Sequence, residues 1–510
     1  MRPIVALLLF AVCVAVARPQ TTDDYLKTIQ PRSVGPAVTG GRIVDIEVHP
    51  AQPWTIFAAS ASGGLWKSVN NGTTWKPVFD DKKTVSIGDV AIAPSDPKVM
   101  WLGTGEHNNQ RSAHYGDGVY KSTDGGETWQ NMGLPNSNRI GRIAIDPKNP
   151  DVVYVASMGY LYKPGGERGV YKTSDGGKTW QLVLKGENDT TGFIEIVADP
   201  KNGNVVYAAS LDRLRRAWNI RDYGVGSAIY KTTDGGRRWT KLSGGLPGGE
   251  LGRIGLAIYP KNPKILYATV INRAPNTGVE IYRTDDAGAK WKKVNEDRVD
   301  SSSYYGQVRV DPTDPQTVYS LGVQAYKSKD GGKKWSRIDR QVHVDHHALW
   351  IDPSNPKRLL LGNDGGLYTS YDEGDTWLFV NNMPVAQFYT VSADNAFPYN
   401  VMGGLQDNGS WRGPSRSRIP SGIQNWEWIN VSGGDGFVTF ADPQDPETIY
   451  TSSQFGAVTR YDARRRTSRG REKINGRDRA WAKRAGTRPR PLERRRSPPG
   501  SGGCGWPACW

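Results

Sequence analysis

Short runs of apolar and β-branched residues, each ending in a polar turn, recur along most of the chain. The clearest turn has the pattern Ser/Thr, any residue, Asp/Asn, any residue, Gly, two more residues and Trp, as in Thr173 to Trp180. The residues on either side of it, such as Tyr171 and Leu182, favour β-strands. An Asp side chain can accept hydrogen bonds from N–H groups of its own turn, and Gly tolerates positive φ. The pattern therefore predicts a β-hairpin closed by its own Asp.

This box turn occurs seven times, and its tryptophans are spaced 54, 51, 59, 52, 44 and 42 residues apart. Tryptophan is a large apolar body with one N–H, which suits packing between neighbouring sheets. We therefore predict a structural role for the turn Asp or Asn and for the Trp of every copy. The turn residues are Asn70, Asp124, Asp175, Asp234, Asp286, Asp330 and Asp372. The tryptophans are Trp75, Trp129, Trp180, Trp239, Trp291, Trp335 and Trp377.

A second repeated unit precedes each box turn. Residues 143–150 lead through a Pro-containing turn into residues 152–157, and similar stretches occur at 257–260, 310–312 and 351–353. Each indicates a strand, a turn and a strand, which with the box hairpin makes four strands per repeat. A period of this length predicts an all-β fold, a β-propeller of four-stranded blades.

The repeats suggest the following domain organisation. Seven blades with box turns occupy residues 39–385, after an N-terminal segment at 18–38. Residues 386–462 indicate an eighth blade without a box turn and the start of a ninth. We predict a seven-bladed ring followed by a truncated second propeller. A single ring of eight or more blades is the alternative.

The first residues have the features of a secretory signal peptide. Arg2 is followed by the apolar run 4–16, and Ala15 to Ala17 form an A-x-A cleavage site. Cleavage near Ala17 would give a secreted or periplasmic protein, and no other apolar stretch is long enough to span a membrane. The three cysteines, Cys13, Cys504 and Cys509, lie outside the repeats, so neither disulfides nor a thiolate metal site holds the blades. We expect a monomer.

The net charge of +15 comes mostly from the C-terminal end. Residues 463–510 contain 15 Lys and Arg against 3 Asp and Glu, whereas the repeats are nearly neutral. The repeats therefore give no reason to expect nucleic-acid binding. The Arg/Pro/Gly-rich tail 463–510 is predicted to be disordered. It is either a basic arm for polyanions or an out-of-frame translation of a G/C-rich gene.

The box turn resembles the Asp-box, or BNR repeat, of sialidases, of xyloglucan-cleaving glycoside hydrolases and of sortilin receptors. The opening residues 33–36, 40–43 and 63–67 resemble large secreted bacterial proteins described as glycosyl hydrolase-like or sortilin-like. The resemblance covers about residues 30–462. It implies a propeller, and among the xyloglucan-cleaving relatives a pair of propellers. The function resides in the loops and does not follow from the fold.

The resemblance also permits a test for enzyme activity. Xyloglucan-cleaving relatives have an Asp just before the Gly-Gly of the first blade, where this chain has Ala61. A two-carboxyl mechanism needs that group, and the three-Arg, Tyr and Glu site of sialidases has no counterpart here. We therefore expect a propeller that binds a glycan or a peptide. The alternative is a glycoside hydrolase, with Glu106 and Asp407 as candidate catalytic residues.

In propellers of this type the box turns lie on one face, and the opposite face carries the loops between second and third strands and the links between blades. Loops on a rigid scaffold are the natural binding positions, although each could equally be a solvated loop. The candidate ligand-binding residues are Glu106, His107, Arg111, Tyr115, Arg213, Arg216, Trp218, Tyr223, Asp364, Asp407 and Asn408.

A cluster of titratable residues occupies the link His343-Val344-Asp345-His346-His347. If this link is extended, alternation places His343, Asp345 and His347 on one side, where they could bind a divalent cation. The alternative is hydrogen bonding near the central channel. The sequence indicates no other cofactor.

Overall fold

The computed structural model describes residues 29, 32–35, 39–108, 113–273, 279–299 and 302–471. Within these ranges the chain forms nine four-stranded antiparallel sheets and one two-stranded hairpin. Two short 3-10 turns, Asn425–Glu427 and Gln454–Gly456, are also present. None of the described helical segments has the length and apolarity needed to cross a membrane. The predicted signal peptide, with its cleavage site at Ala17, lies outside the described residues.

Each sheet is one blade, and the strands of a blade follow one another in the chain. Blade one contains β1 (Ile43–Val48), β2 (Ile56–Ser60), β3 (Leu65–Ser68) and β4 (Lys76–Pro77). Blade two contains β5 (Ile87–Ile92), β6 (Met100–Thr104), β7 (Val119–Ser122) and β8 (Gln130–Asn131). Blade three contains β9 (Ile140–Ile145), β10 (Val153–Ser157), β11 (Gly169–Thr173) and β12 (Gln181–Leu184). Blade four contains β13 (Thr191–Asp199), β14 (Asn202–Asp212), β17 (Ile229–Thr232) and β18 (Thr240–Leu242), with the hairpin β15 (Leu214–Arg215) and β16 (Ile220–Arg221) inserted.

The remaining blades repeat this order. Blade five contains β19 (Leu251–Ile258), β20 (Leu266–Asn272), β21 (Val279–Thr284) and β22 (Lys292–Lys293). Blade six contains β23 (Gln307–Val310), β24 (Val318–Leu321), β25 (Ala325–Ser328) and β26 (Ser336–Arg337). Blade seven contains β27 (His346–Ile351), β28 (Leu359–Asn363), β29 (Gly366–Ser370) and β30 (Leu378–Phe379). Blade eight contains β31 (Phe388–Ala393), β32 (Asn400–Leu405), β33 (Ser410–Pro414) and β34 (Ile429–Ser432). Blade nine contains β35 (Thr439–Ala441), β36 (Thr448–Ser453), β37 (Ala457–Asp462) and β38 (Thr467–Arg471).

The first seven blades close into a ring. Strand β1 packs against β5 on one side and against β27 and β28 of blade seven on the other. At the closure the N–H of Gly40 donates to the carbonyl of Gly365, at 2.8 Å. A Cβ on Gly40 would lie 2.4 Å from the Cα of Gly366, so only glycine permits this approach. The predicted seven-bladed ring is confirmed.

The box turn has the same hydrogen bonds in all seven copies. In the third, the Thr173 hydroxyl donates to the Asp175 carboxylate at 2.8 Å and accepts the N–H of Gly177 at 2.9 Å. The same carboxylate accepts the N–H of Thr179 at 3.0 Å. Trp180 donates its indole N–H to the carbonyl of Met132 in the preceding blade, at 2.8 Å. The Asp thus closes its own hairpin, and this Trp joins two blades.

Blades eight and nine stand outside the ring and pack side by side, around Met402, Val431, Ile449 and Tyr461. The fourth strand of blade nine, β38, lies inside the segment 463–510 that was predicted to be disordered. The boundary at residue 463 was therefore too early, because β38 is an arginine-rich strand without the apolar alternation that marks the others. The rest of that tail lies outside the described residues.

Candidate functional site

The antiparallel order of each blade separates two faces. Box turns join third and fourth strands at one end, while the second-to-third-strand loops and the links between blades lie at the other end, the loop face. Blade eight meets the ring at this face. There the side chain of Asn408 donates to the carbonyl of Asp364, at 2.9 Å, and the imidazole of His343 contacts the carbonyl of Asp407, at 3.2 Å.

Arg42, immediately before β1, is the centre of this junction. Its side chain is only 4% exposed. Its Nη1 contacts Glu106 Oε1 at 2.6 Å, its Nε contacts Asp364 Oδ1 at 2.7 Å, and its Nη2 lies 3.5 Å from Asp407 Oδ2. The guanidinium also lies over the ring of Tyr304, 5.5 Å from its centroid. One cation thus joins carboxylates from blades two, seven and eight.

Asp364 is held in its ionised form. Burial opposes ionisation, but Arg42 and His347 outweigh it and keep the pKa of Asp364 well below its ordinary value. The contact with His347 joins imidazole Nε2 to Oδ1, at 2.6 Å. Both oxygens of this carboxylate are therefore already engaged, since Oδ2 lies 3.2 Å from Arg42 Nη2.

Asp407 behaves in the opposite way. Burial, with the nearby charges of Asp364, Asp435 and Asp345, raises the pKa of Asp407 to about 8, although Arg42 lowers it. The Asp407 carboxyl is therefore mostly protonated at neutral pH. Its side chain is 27% exposed. The pKa of Asp345 is also raised, by burial and then by Asp364, and the Tyr305 hydroxyl donates to its carboxylate.

These groups surround an open, mainly polar cavity of about 180 Å³, which we call the junction site. It offers a cation, ionised and protonated carboxyl groups, and a tyrosine hydroxyl within one small volume. Such a set of donors and acceptors suits a ligand rich in hydroxyl groups. The lining residues are Arg42, Tyr304, Tyr305, Asp345, Asp364, Gln406 and Asp407.

The structure brings only some of the predicted ligand-binding residues together. Asp364 and Asp407 line the junction site, while Glu106 and Asn408 contact its residues. His107 and Arg213 are buried below the loop face. Four other predicted ligand-binding residues do not line the junction site. The side chains of Tyr115 and Trp218 are 69% and 76% exposed, and Arg216 is exposed as well. The ring of Tyr223 lies against the Arg273 guanidinium. Arg111 lies outside the described residues.

The proposed metal ligands do not share one side of an extended segment. Asp345 has a φ of 71° and β27 begins only at His346, so the alternation assumed for this link is wrong. His343 contacts the carbonyls of Val344 and Asp407, while His347 contacts Asp364 and Asn108. Within the described parts of the chain, no group of three His, Cys, Asp or Glu could hold a metal ion.

Sequence reasoning missed Arg42 and the pair Tyr304 and Tyr305. Arg42 lies within the Gly-Gly-Arg-Ile stretch that carried the resemblance, but a single arginine in a link carries no signal of its own. Ala61, which occupies the place of the expected Asp, is 1% exposed and packs in the core between blades one and two. A carboxylate there would enter apolar surroundings.

A second missed cluster lines the central channel. The Arg142 guanidinium contacts Asp45 at 3.0 Å, Asp89 at 2.7 Å and Glu195 at 3.1 Å, which lie on the innermost strands of blades one, two and four. Asp45 and Asp89 also accept backbone N–H groups of the following blades. This cluster ties four blades together and is structural.

Comparison with known proteins places the chain among propellers of this kind. The family described as Sortilin, neurotensin receptor 3 (Sortilin-Vps10) matches residues 117–248. A xyloglucanase of a Paenibacillus species is 24% identical over 304 residues, which is 55% of this chain and 29% of that protein. A probable oligoxyloglucan-reducing end-specific xyloglucanase of Neosartorya fischeri is 24% identical over 225 residues, 41% of this chain and 24% of that protein.

Among solved structures, a GH74 enzyme of Niastella koreensis matches with a TM-score of 0.61 and 16% identity, over 87% of this chain and 67% of that one. This likeness shows the propeller fold. The matched stretch spans less than a third of the length of either of these xyloglucanases. The resemblance to xyloglucan-cleaving and sortilin-like propellers is thus confirmed.

Proposed function

We propose that the protein binds a neutral, hydroxyl-rich glycan of the β-glucan class at the junction site. The observation that carries this proposal is the convergence of Arg42, Asp364 and Asp407 around one open cavity between the ring and blade eight. The similarity to xyloglucanases supports a glycan as the ligand. Export after cleavage near Ala17 and a monomeric state belong to the same proposal and rest on the sequence pattern. A peptide is the alternative ligand class.

Binding is favoured over hydrolysis because the ionised carboxylate is not free to react. Asp364 engages both oxygens with Arg42 and His347. A nucleophile or base needs a lone pair directed at the sugar or at a water molecule. In addition, Ala61 lacks the carboxylate expected from the resemblance. The junction site therefore has the donors to hold a sugar, and its ionised carboxylate, Asp364, is already paired.

Hydrolysis is the second candidate, favoured by one specific observation. The pKa of Asp407 is raised to about 8 while that of Asp364 is depressed, and both carboxyl groups contact Arg42 Nη2. Two carboxyl groups whose environments push their pKa values apart are the arrangement that supplies a general acid beside an anion. In that case Asp407 would protonate the leaving oxygen.

Two substitutions at Asp407 separate the candidates. Since the group is mostly protonated at neutral pH, Asp407→Asn retains a neutral hydrogen-bonding side chain and should preserve binding, but it can release no proton. Asp407→Ala removes the polar group and should weaken binding roughly tenfold. Xyloglucan oligosaccharides serve as the probe in calorimetric titration, with reducing-end release measured in parallel. Turnover by the parent chain that Asp407→Asn abolishes would establish the hydrolase.

A further inference from the structure

A group of buried cations lies below the loop face, where blades two, three and four meet. Arg139 is 4% exposed, Arg168 7% and Arg213 4%. With the imidazole of His107 they line a cavity of about 10 Å³. That is about the volume of one water molecule, so a monatomic ion is the largest ligand that small shifts of the arginine side chains would admit. The cavity is distinct from the junction site, which has no lining residue in common with it.

The three guanidinium groups donate to amide and carbonyl oxygens of neighbouring residues. None of them forms an ion pair with any residue that the structure describes. Arg168 donates to backbone carbonyls, among them Gly165 at 3.0 Å and Thr190 at 3.1 Å, and Arg213 donates to the carbonyl of His107 at 3.1 Å. The Nε groups of Arg139 and Arg213 are buried without a hydrogen-bond partner in the described part of the chain. Burying cations without a counter-charge is costly.

Two of the carboxylates near this cluster are already paired with other arginines. Glu106 contacts Arg42 at 2.6 Å, and Asp212 contacts Arg221 at 2.9 Å. Burial, and then the charge of Arg213, lowers the pKa of Arg139 and of Arg168 to about 10, so both remain cationic at neutral pH. Asp222 and Asp189 act on Arg213 and Arg168 only from beyond ion-pair distance. The positive charge of the cluster is therefore only partly offset by the described protein groups.

We propose that this cavity binds a single halide ion, with chloride as its ordinary ligand. The cavity is too small for a sugar carboxylate or a phosphate. Its walls combine guanidinium donors with the apolar side chains of Met158 and Leu161, surroundings that suit a weakly hydrated monovalent anion. Because the arginines belong to blades three and four and His107 to blade two, the bound ion ties three blades together. It should therefore stabilise the folded protein.

The test compares thermal unfolding of the full chain in sodium bromide, sodium chloride and sodium gluconate at equal ionic strength. The melting temperature should rise continuously with the logarithm of halide concentration, and gluconate should give no such rise. Arg139→Met should remove the halide-dependent increment. Arg216→Met, which removes an exposed arginine from the loop after Arg213, should keep it. A general salt effect, equal in gluconate and halide, overturns the proposal.

A second measurement does not depend on whether the variant folds. Crystals of the parent chain soaked in bromide should show an anomalous peak inside the cavity, between Arg139 and Arg213. A cavity that holds only water, with no bromide peak, overturns the proposal. A peak in the cavity together with loss of the increment in Arg139→Met establishes the site.

Discussion

Thr173 illustrates at the scale of one residue why the box turn recurs. Its buried hydroxyl both donates to Asp175 and accepts the N–H of Gly177. Thr173→Val keeps the volume but leaves that buried N–H without a partner. We expect a loss of about 1–3 kcal/mol in the free energy of unfolding. Thr179→Val, which removes an exposed hydroxyl of the same turn, is the matched control and should cost less in a denaturant titration.

Protonation of the turn carboxylates should weaken the blades in acid. Hydrogen bonds from the side chain and N–H of Thr179 and from Thr173 lower the pKa of Asp175 to about 2, whereas an unfolded Asp has a pKa of about 4. The stabilisation is therefore present above about pH 4 and is lost as pH falls towards 2. Asp175→Asn should reduce the loss of stability in acid, because an Asn side chain does not titrate and Asn70 accepts the same hydrogen bond in the first box turn. Melting curves recorded between pH 2 and 6 measure this pH dependence. Asp175→Ala, which loses the hydrogen bonds of the turn, should be less stable than the parent over the whole range.

Asp407 should have the opposite pH dependence. Its pKa is raised to about 8 in the folded chain, so its protonated form is favoured there. The contribution of Asp407 to the free energy of unfolding is therefore fully present below about pH 4 and is lost as pH rises through 8. Asp407→Asn should therefore gain stability relative to the parent from pH 5 to 9. A melting-temperature difference that stays constant over this range would show that Asp407 ionises normally.

The individual strands and turns were the part that the sequence predicted best. A box turn is a local device: its hydrogen bonds lie within a few residues, so the spacing of Thr173, Asp175 and Trp180 indicates the hairpin directly. Strand β38 was missed because its residues are arginine-rich and its position depends on pairing with β37. The extended geometry assumed for the His343 link failed for a related reason: Asp345 takes a positive φ that neighbouring residues do not reveal.

Two truncations test the assignment of β38 as part of blade nine. Removing residues 472–510 should leave the melting temperature unchanged and remove any binding to polyanions, since that segment is rich in Arg and carries an excess of positive charge. Removing residues 463–510 also deletes β38 and exposes the edge of β37, so it should lower the melting temperature. Equal melting temperatures for the two truncations would place β38 outside the folded blade.

At the scale of the whole molecule, adjacent blades are held together by packing and by buried charges. The pattern of seven boxes predicted the ring, but it did not predict the meeting of Arg42 with Glu106, Asp364 and Asp407, residues 64, 322 and 365 positions away in the sequence. Contacts between distant blades depend on how the ring closes, and a single sequence holds no signal for them. The junction site was therefore predicted only in fragments.

Arg142 offers a direct test of this buried network. Arg142→Met leaves Asp45, Asp89 and Glu195 without their shared cation, and we expect a loss of roughly 3–5 kcal/mol. Arg142→Lys keeps the positive charge, but an ammonium group lacks the planar guanidinium that contacts three carboxylates at once. The loss in the free energy of unfolding should therefore be intermediate. Denaturant unfolding measures both. A near-neutral Arg142→Met would show that the channel is solvated well enough to carry the carboxylates unpaired.

The most direct test of the central claim is a calorimetric titration of xyloglucan oligosaccharides into the full chain at neutral pH. Four proteins are compared: the parent, Asp407→Ala, Asp407→Asn and Asp375→Asn, the last with an exposed side chain in a box turn on the opposite face. We predict binding by the parent, Asp407→Asn and Asp375→Asn, and roughly tenfold weaker binding by Asp407→Ala. Equal affinity of Asp407→Ala and the parent, or no binding by the parent, would contradict a glycan site at the junction.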